Sequence, residues 1–293
     1  MSKIAIITDT NSGMPREEAD KLGVFLLPMP IIVNNKEYFE GVSCTYDQFF
    51  EMLAGGADVS TSQPSPESLT SLWDEVLKEY DAIVHIPMSS GLSSSCATAK
   101  ALAMDYDGRV CVADNKRISV SQYQSVVDAV LWSREGLSAA EICAKLEETA
   151  LDASIYLAVN TLELLKKSGR VTAAGAAIAS ILGIKPVLQI QGEKLDAFAK
   201  VRGMANAKKT MLEAAEKDLK GRFAGRPARV WVAYSGEEAP AAEWTDEVRR
   251  YFDDPTVCMY KLPLSISCHV GAGVLAIGVI EYAGERKDIP YEI

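Results

Sequence analysis

Two short stretches crowd hydroxyl side chains together. "STSQPSP" (60–66) sets Ser60, Thr61, Ser62 and Gln63 in a row and follows them with two prolines around Ser65. Pro64 and Pro66 exclude a helix interior and an inner strand there, so the row is expected in a loop that feeds a helix. "SSGLSSS" (89–95) packs five serines and a glycine into seven residues, just beyond the apolar strand "AIVHI". A helix beginning near Ser93 would present unpaired first-turn N–H groups, with partial positive charge, beside these hydroxyls. Such a place suits an anion. Plain helix capping is the competing use of Ser93–Ser95.

Nucleophilic chemistry at Ser93 is the main enzymatic alternative. "GLSSS" misses G-x-S-x-G only in its last position, Ser95. A triad needs a base, and the chain has two histidines. His85 lies inside an apolar strand and reads as a satisfied core residue. His269, in "SCHVGAG", is the remaining base, and no acid stands out to orient it. A serine esterase built on Ser93 and His269 is therefore a second reading. Two histidines and six scattered cysteines without C-x-x-C give no transition-metal spacing, so no metal or cofactor is expected. No G-x-x-x-x-G-K-[ST] occurs, so there is no P-loop for a nucleotide. "GAGVLA" (Gly271–Ala276) formally fits G-x-G-x-x-A but runs into a strand-like segment near the end of the sequence. Asp9, in "TDT", lacks a second acid for phosphotransfer because Asn11 stands in that place, and it reads as the organiser of a strand-end turn.

The elements that must position these groups follow from pattern. "KIAIITD", "DAIVHIP" and "RVCVAD" are short apolar strands, each leading through a polar loop into a helix, which argues a parallel α/β sheet. "VFLLPMPIIVN" is extended and interrupted by Pro28 and Pro30. Thr45 and Gln48 form a capping box for "YDQFFEMLAG", and Ser65–Pro66–Glu67 is a helix start. From about Ser154 the texture becomes α+β, with "KPVLQIQGEKLDAFAKVRG" read as two antiparallel strands around a Gly192 turn. The expected domains are 1–152, α/β with a parallel sheet, and 153–293, α+β with a mainly antiparallel sheet. At 293 residues, 48% hydrophobic and 24% charged, the chain can bury large cores. A net charge of −10 argues against nucleic acid and anionic membranes as partners. No eighteen-residue apolar run spans a membrane, and the start reads as no signal peptide, so a cytoplasmic protein with reduced cysteines is expected.

Read together and in order, "TSQPSP", "SSGLSSS", "LELLKKSGRV", "GIKPVLQI…GEKL", "KVRG" and "HVGAG" resemble the DegV family of bacterial proteins along essentially the whole chain. The resemblance implies a two-domain fold that binds a long-chain fatty acid and serves as the binding subunit of a bacterial fatty-acid kinase. The ATP-dependent kinase would be a separate partner that converts the carboxylate to an acyl-phosphate, and this chain a carrier, not an enzyme. The carboxylate contacts it implies are Thr61, with Ser62 beside it, and Ser93. Arg202 and His269 are secondary head-group candidates with Ser94, and Arg170 is a possible partner contact. The chain departs from the family pattern at Ser168, Ala272 and Asn115. Burying about fifteen methylenes offers up to ~12 kcal/mol before ordering costs, so the tail should supply affinity and the head orientation. The run Ala173–Ile184 is a candidate tunnel wall, with close helix–sheet packing as its other use. A carrier of another hydrophobic acid, without a kinase, is a third reading.

Overall fold

The computed structural model describes residues 2–177, 183–192 and 194–283. The chain divides into two compact units: residues up to Leu151 with Pro263–Ser265, and Asp152–Leu262 with the chain from Ile266 onward.

In the first unit, continuous apolar runs become strands buried on both faces, as a parallel sheet covered by helices requires. Its elements are β1 (Ile4–Asp9), α1 (Arg16–Leu22), β2 (Val24–Leu27), β3 (Pro30–Val33), β4 (Lys36–Phe39), α2 (Tyr46–Ala54), β5 (Val59–Thr61) and α3 (Pro66–Val76). They continue with β6 (Ala82–Ile86), α4 (Ser95–Ala103), β7 (Val110–Val112), α5 (Val120–Arg134) and α6 (Ala139–Glu148). The main sheet runs β2-β1-β6-β7, every pair parallel. Ala5, Ile7, Ile83 and Val110 pack with Leu69 and Trp73 of α3 and Ala99 of α4. The local signals act as the sequence expected. Thr45 and Gln48 close the capping box of α2, and the Ser65 side chain accepts from Ser68 N–H with Pro66 at the first position of α3.

"VFLLPMPIIVN" turns out to serve two sheets. β2 lies parallel to β1, whereas β3 is the centre of a small antiparallel sheet ordered β4-β3-β5. The break falls at Pro28–Met29, where Met29 N–H donates to Thr10 Oγ1 (3.0 Å). Thr61 ends β5, an edge strand paired to Ile31, so the hydroxyl row starts on a strand edge that tolerates the prolines following it.

The second unit holds β8 (Ala153–Ala158), α7 (Glu163–Ser168), α8 (Ala173–Ala176), β9 (Ile184–Ile190), β10 (Asp196–Arg202), α9 (Gly203–Lys220), β11 (Ala228–Tyr234), α10 (Glu238–Phe252), β12 (Cys258–Lys261) and β13 (Leu275–Glu281), while α11 (Leu264–Val270) starts in the first unit and passes to the second after Ser265. Its sheet, β10-β9-β8-β13-β11-β12, is antiparallel except for β11 and β12, which α10 joins as a crossover. The fold class is thus the expected one, parallel then mainly antiparallel. Ala207, Met211, Ala214 and Ala215 give α9 one apolar face, which packs with Trp244 and Val248 of α10 over Val232 and Ile277. Of the expected wall Ala173–Ile184, Ala173–Ala176 is helical, and residues 178–182 lie outside the described residues. α11 is the element the sequence pattern did not announce. Its first N–H, that of Leu264, is capped by the Glu40 carboxylate at 2.9 Å, a partner more than two hundred residues away that leaves no local signature.

Candidate functional site

The serine loop begins where β6 ends, and it is held from several sides. Met88 N–H donates to Asp9 Oδ2 (2.8 Å) and Ser89 N–H to Arg117 O (2.8 Å). Ser90 donates to Asp114 through both its N–H (3.3 Å) and its hydroxyl (2.6 Å), while Lys116 Nζ donates to Ser90 Oγ (2.6 Å). Burial works to raise the Asp114 pKa, but the hydrogen bonds from Ser90 and Lys116 outweigh it and hold the carboxyl below the ordinary range. Lys116 and Ser119 both adopt positive φ, 54° and 55°, which costs a residue with a Cβ about 1 kcal/mol or more. Buried Arg117 between them fixes this backbone by donating to Thr149 O (2.6 Å) and Ser125 Oγ (3.2 Å).

Asp9 organises the strand-end turn, as read from the sequence, and more. Its Oδ1 accepts from Asn11 N–H and from Gln122 Nε2, both at 3.1 Å. Burial raises its pKa against these bonds. Gln122 also donates to Thr8 Oγ1 (3.0 Å) and Ile86 O (3.1 Å), so one amide on α5 ties the ends of β1 and β6. Ser265 Oγ donates to Asn11 Oδ1 (2.6 Å) in the same unit.

The helix after the serine loop starts at Ser95, two residues later than expected, and its N-cap, Ser94, makes no capping bond with its side chain. Ser93 Oγ accepts from Ser95 N–H (3.2 Å) and so fills the capping role. That bond uses an oxygen lone pair. The half-buried Ser93 hydroxyl keeps its proton, for which the described residues supply no acceptor. Ser94 Oγ donates instead to Gln63 Oε1 (3.1 Å), which also accepts from Thr98 Oγ1 (3.1 Å). Gln63 therefore fastens the "STSQPSP" segment to the first turns of α4. It sat inside the quoted motif but was given no role, because only the tertiary fold shows which chain its amide reaches. Thr61 is half-buried; Ser62 is exposed and donates to Gln63 O (3.2 Å).

Beneath this junction lies a cavity of about 10 Å³ lined by Asp9, Pro64, His85, Pro87, Ser95 and Thr98 among others, space for one water. His85 Nδ1 and Ser95 Oγ are buried on its wall without a hydrogen-bond partner. His85 was expected to be satisfied. It is a core residue, edge-on to Trp73 at 5.6 Å with burial lowering its pKa to about 3, yet its ring nitrogen lacks a protein partner.

In the second unit the structure associates two residues that the sequence reading kept apart. Burial first, and the Arg170 charge second, lower the His269 pKa to about 4. The imidazole at the end of α11 is therefore neutral at pH 7 and next to a guanidinium. Arg170 Nη1 also donates to Ser168 O. A catalytic histidine must become imidazolium during acyl transfer, and the Arg170 charge opposes that change at His269. The "HVGAG" loop is tied to Ser235. Gly271 O accepts from Ser235 Oγ (2.6 Å), and Gly273 N–H donates to Ser235 O (2.8 Å). Gly273 has φ 76° and a Cβ there would collide with the Asn160 side chain, so glycine is favoured at that position. Exposed Arg202 closes β10 opposite Ile184, and its carbonyl accepts from Asn206 Nδ2 (2.7 Å). Its guanidinium has no ion-pair partner among the described residues. Among the described residues no cluster could hold a metal ion, and no helix is long and apolar enough to cross a membrane.

Comparison with known proteins covers nearly the whole chain. The family model described as "Uncharacterised protein, DegV family" matches residues 3–282. A DegV domain-containing protein of Deinococcus radiodurans is 29% identical over 277 residues, spanning 94% of this chain and 98% of the relative. Among solved structures, a DegV family protein from Thermus thermophilus, reported for fatty acid binding, superposes with a TM-score of 0.86 at 29% identity, covering 95% of this chain and 99% of that one. DegV of Bacillus subtilis, described as a fatty acid binding protein, gives 0.83 at 27% identity with 96% and 100% coverage.

Proposed function

The chain belongs to the DegV family, and from that premise we propose that it is a carrier that binds one long-chain fatty acid. The carboxylate is held by Thr61, Ser62 and Ser93, and the alkyl tail lies in an apolar tunnel. The observation that carries this reading is Ser93: its oxygen is committed to Ser95 N–H, so its unclaimed proton is left to donate to an anion. A hydrogen bond to a charged acceptor contributes about 1.5–3 kcal/mol, enough to orient a head group whose tail supplies most of the affinity. Arg202 and His269 are secondary head-group contacts with Ser94. Arg170, whose charge acts on His269, contacts the partner.

That partner is a separate ATP-dependent fatty-acid kinase, which phosphorylates the presented carboxylate to an acyl-phosphate. Two features favour this division of labour: the sequence has no phosphate-binding glycine loop, and the residues gathered at the serine loop are hydroxyls, not a nucleotide site.

Native mass spectrometry of the purified protein, followed by organic extraction, tests the carrier reading. The expected result is a mass excess equal to one long-chain fatty acid, released on extraction. A different hydrophobic acid in the extract would redirect the substrate class. Protein that carries no lipid and takes up no added fatty acid would overturn the reading. ATP turnover by the protein alone would overturn the kinase assignment, and Ser93-dependent labelling by a fluorophosphonate would restore the esterase.

A further inference from the structure

The six cysteines are free, and two of them meet. In β7 the side chains alternate. Val110 and Val112 pack with Trp73, Leu69 and Ala99 on the face covered by α3 and α4, so the strand's period of two turns Cys111 to the opposite face. α6 packs against β6 and β7. On it, Ile142 and Leu146 are buried and Cys143, between them, is half-buried. One turn further along α6, Glu147 Oε1 accepts the Asp114 N–H at 3.0 Å and binds Lys100 Nζ at 2.8 Å, which fixes the helix against the end of the strand. In that register Cys111 and Cys143 lie on the facing sides of the strand and the helix, near enough that each thiol acts on the other's titration. Both residues are half-buried.

We propose that Cys111 and Cys143 are a redox-responsive dithiol that closes to a reversible disulfide when challenged by a small-molecule disulfide. The interaction with Cys143 lowers the Cys111 thiol against the opposing effect of burial, which favours Cys111 as the attacking sulfur. Cys143 is raised, first by that same interaction and then by burial. The Cys111 thiolate attacks one sulfur of RSSR, forms a mixed disulfide and expels RS⁻, which takes up a proton. Cys143 then loses its proton and attacks the Cys111 sulfur, forming the Cys111–Cys143 bond and expelling the second RS⁻. Two protein thiols are oxidised by two electrons, and RSSR is reduced to two RSH. Cys96 makes the contrast: it is buried, and burial together with the Asp114 charge pushes its thiol up to about 12. The link would sit one helical turn from Glu147, whose partner Asp114 holds Ser90, so it would brace the end of β7 against which the serine loop is held. This proposal stands apart from the lipid reading.

The test uses the full-length reduced protein titrated with oxidised glutathione, quenched with acid, alkylated, and digested with trypsin. Residues 110–116 and 135–145 form separate tryptic peptides with one cysteine each. The expected product is those two peptides joined, lost again on treatment with dithiothreitol. Cys143→Ser should accumulate a glutathione adduct on Cys111 and no joined peptide, and Cys143→Ala should do the same if the hydroxyl disturbs packing. Cys111→Ser should abolish both products. A stable Cys111 adduct in the wild-type protein without the joined peptide would overturn the proposal, as would both thiols surviving the oxidant unmodified.

Discussion

The first unit offers its candidate ligand groups as neutral hydroxyls, and the second offers cations and an imidazole. In the first, Thr61, Ser62, Ser93 and Ser94 stand on two loops joined through Gln63 and anchored to a buried carboxylate, Asp9. In the second, Arg170 and exposed Arg202 carry full charge and His269 is held neutral. Hydroxyls and backbone N–H groups select an anion by geometry at little desolvation cost, whereas cations supply longer-range attraction that salt screens. In the proposed reading the hydroxyls of the first unit orient the carboxylate, and experiment can break that contrast with the charged groups of the second.

The largest effect should come from the anchor of the hydroxyl side. Asp9→Ala leaves Met88 N–H, Asn11 N–H and the Gln122 amide without their acceptor in a buried place, at about 1–3 kcal/mol each when fully orphaned. Urea unfolding should show a loss of about 4 kcal/mol, with lipid retention falling alongside. A loss below about 1 kcal/mol would mean the loop is not held through Asp9.

The pH profile separates the titrating groups. His85 and His269 have folded pKa values, about 3 and about 4, below the ordinary histidine value of 6.5. Their contribution to stability is full above about pH 6.5 and is lost as pH falls toward those values, because the unfolded chain takes up the protons first. Glu40 has the opposite sign. Burial raises it from 4.5 to about 7 against the Leu264 hydrogen bond, so its contribution is full below about pH 4.5 and is lost as pH rises through 7. Glu40→Gln, which can still accept from Leu264 N–H, should match wild type at pH 4 and exceed it by up to ~2 kcal/mol at pH 8. Equal unfolding midpoints at pH 8 would sink the assignment.

Ser93→Ala should cost less than ~1 kcal/mol of stability, since it removes one local cap bond, yet reduce fatty-acid affinity about tenfold, the equivalent of ~1.4 kcal/mol. Isothermal titration with a delipidated sample reads the ratio. Ser62→Ala should have the smallest effect, about twofold at most, because its exposed hydroxyl already donates to Gln63 O. An effect of Ser62→Ala larger than that of Ser93→Ala would reverse the order of the head-group contacts.

Much of the fold was legible because its signals are local. The Thr45/Gln48 box, the Ser65–Pro66 start, the apolar strands and the antiparallel pair around Gly192 each depend on residues a few positions apart, and all appear as read. The misreadings share one cause. α11 is capped by distant Glu40, β3 leaves the main sheet for a small one, and α4 starts at Ser95 because Ser93 spends its oxygen on the cap.

By itself the sequence determined the order and type of most elements, the two serine-rich segments at their ends, and the family, since periodicity, capping and motif spacing are properties of neighbouring residues. The tertiary structure decided which hydroxyl keeps its proton, which carboxylate anchors the loop, that His269 is neutral beside Arg170, and that Cys111 meets Cys143. Those are outcomes of burial and long-range packing. Desolvation and hydrogen-bond partners depend on what the rest of the chain places nearby, and no local pattern encodes that.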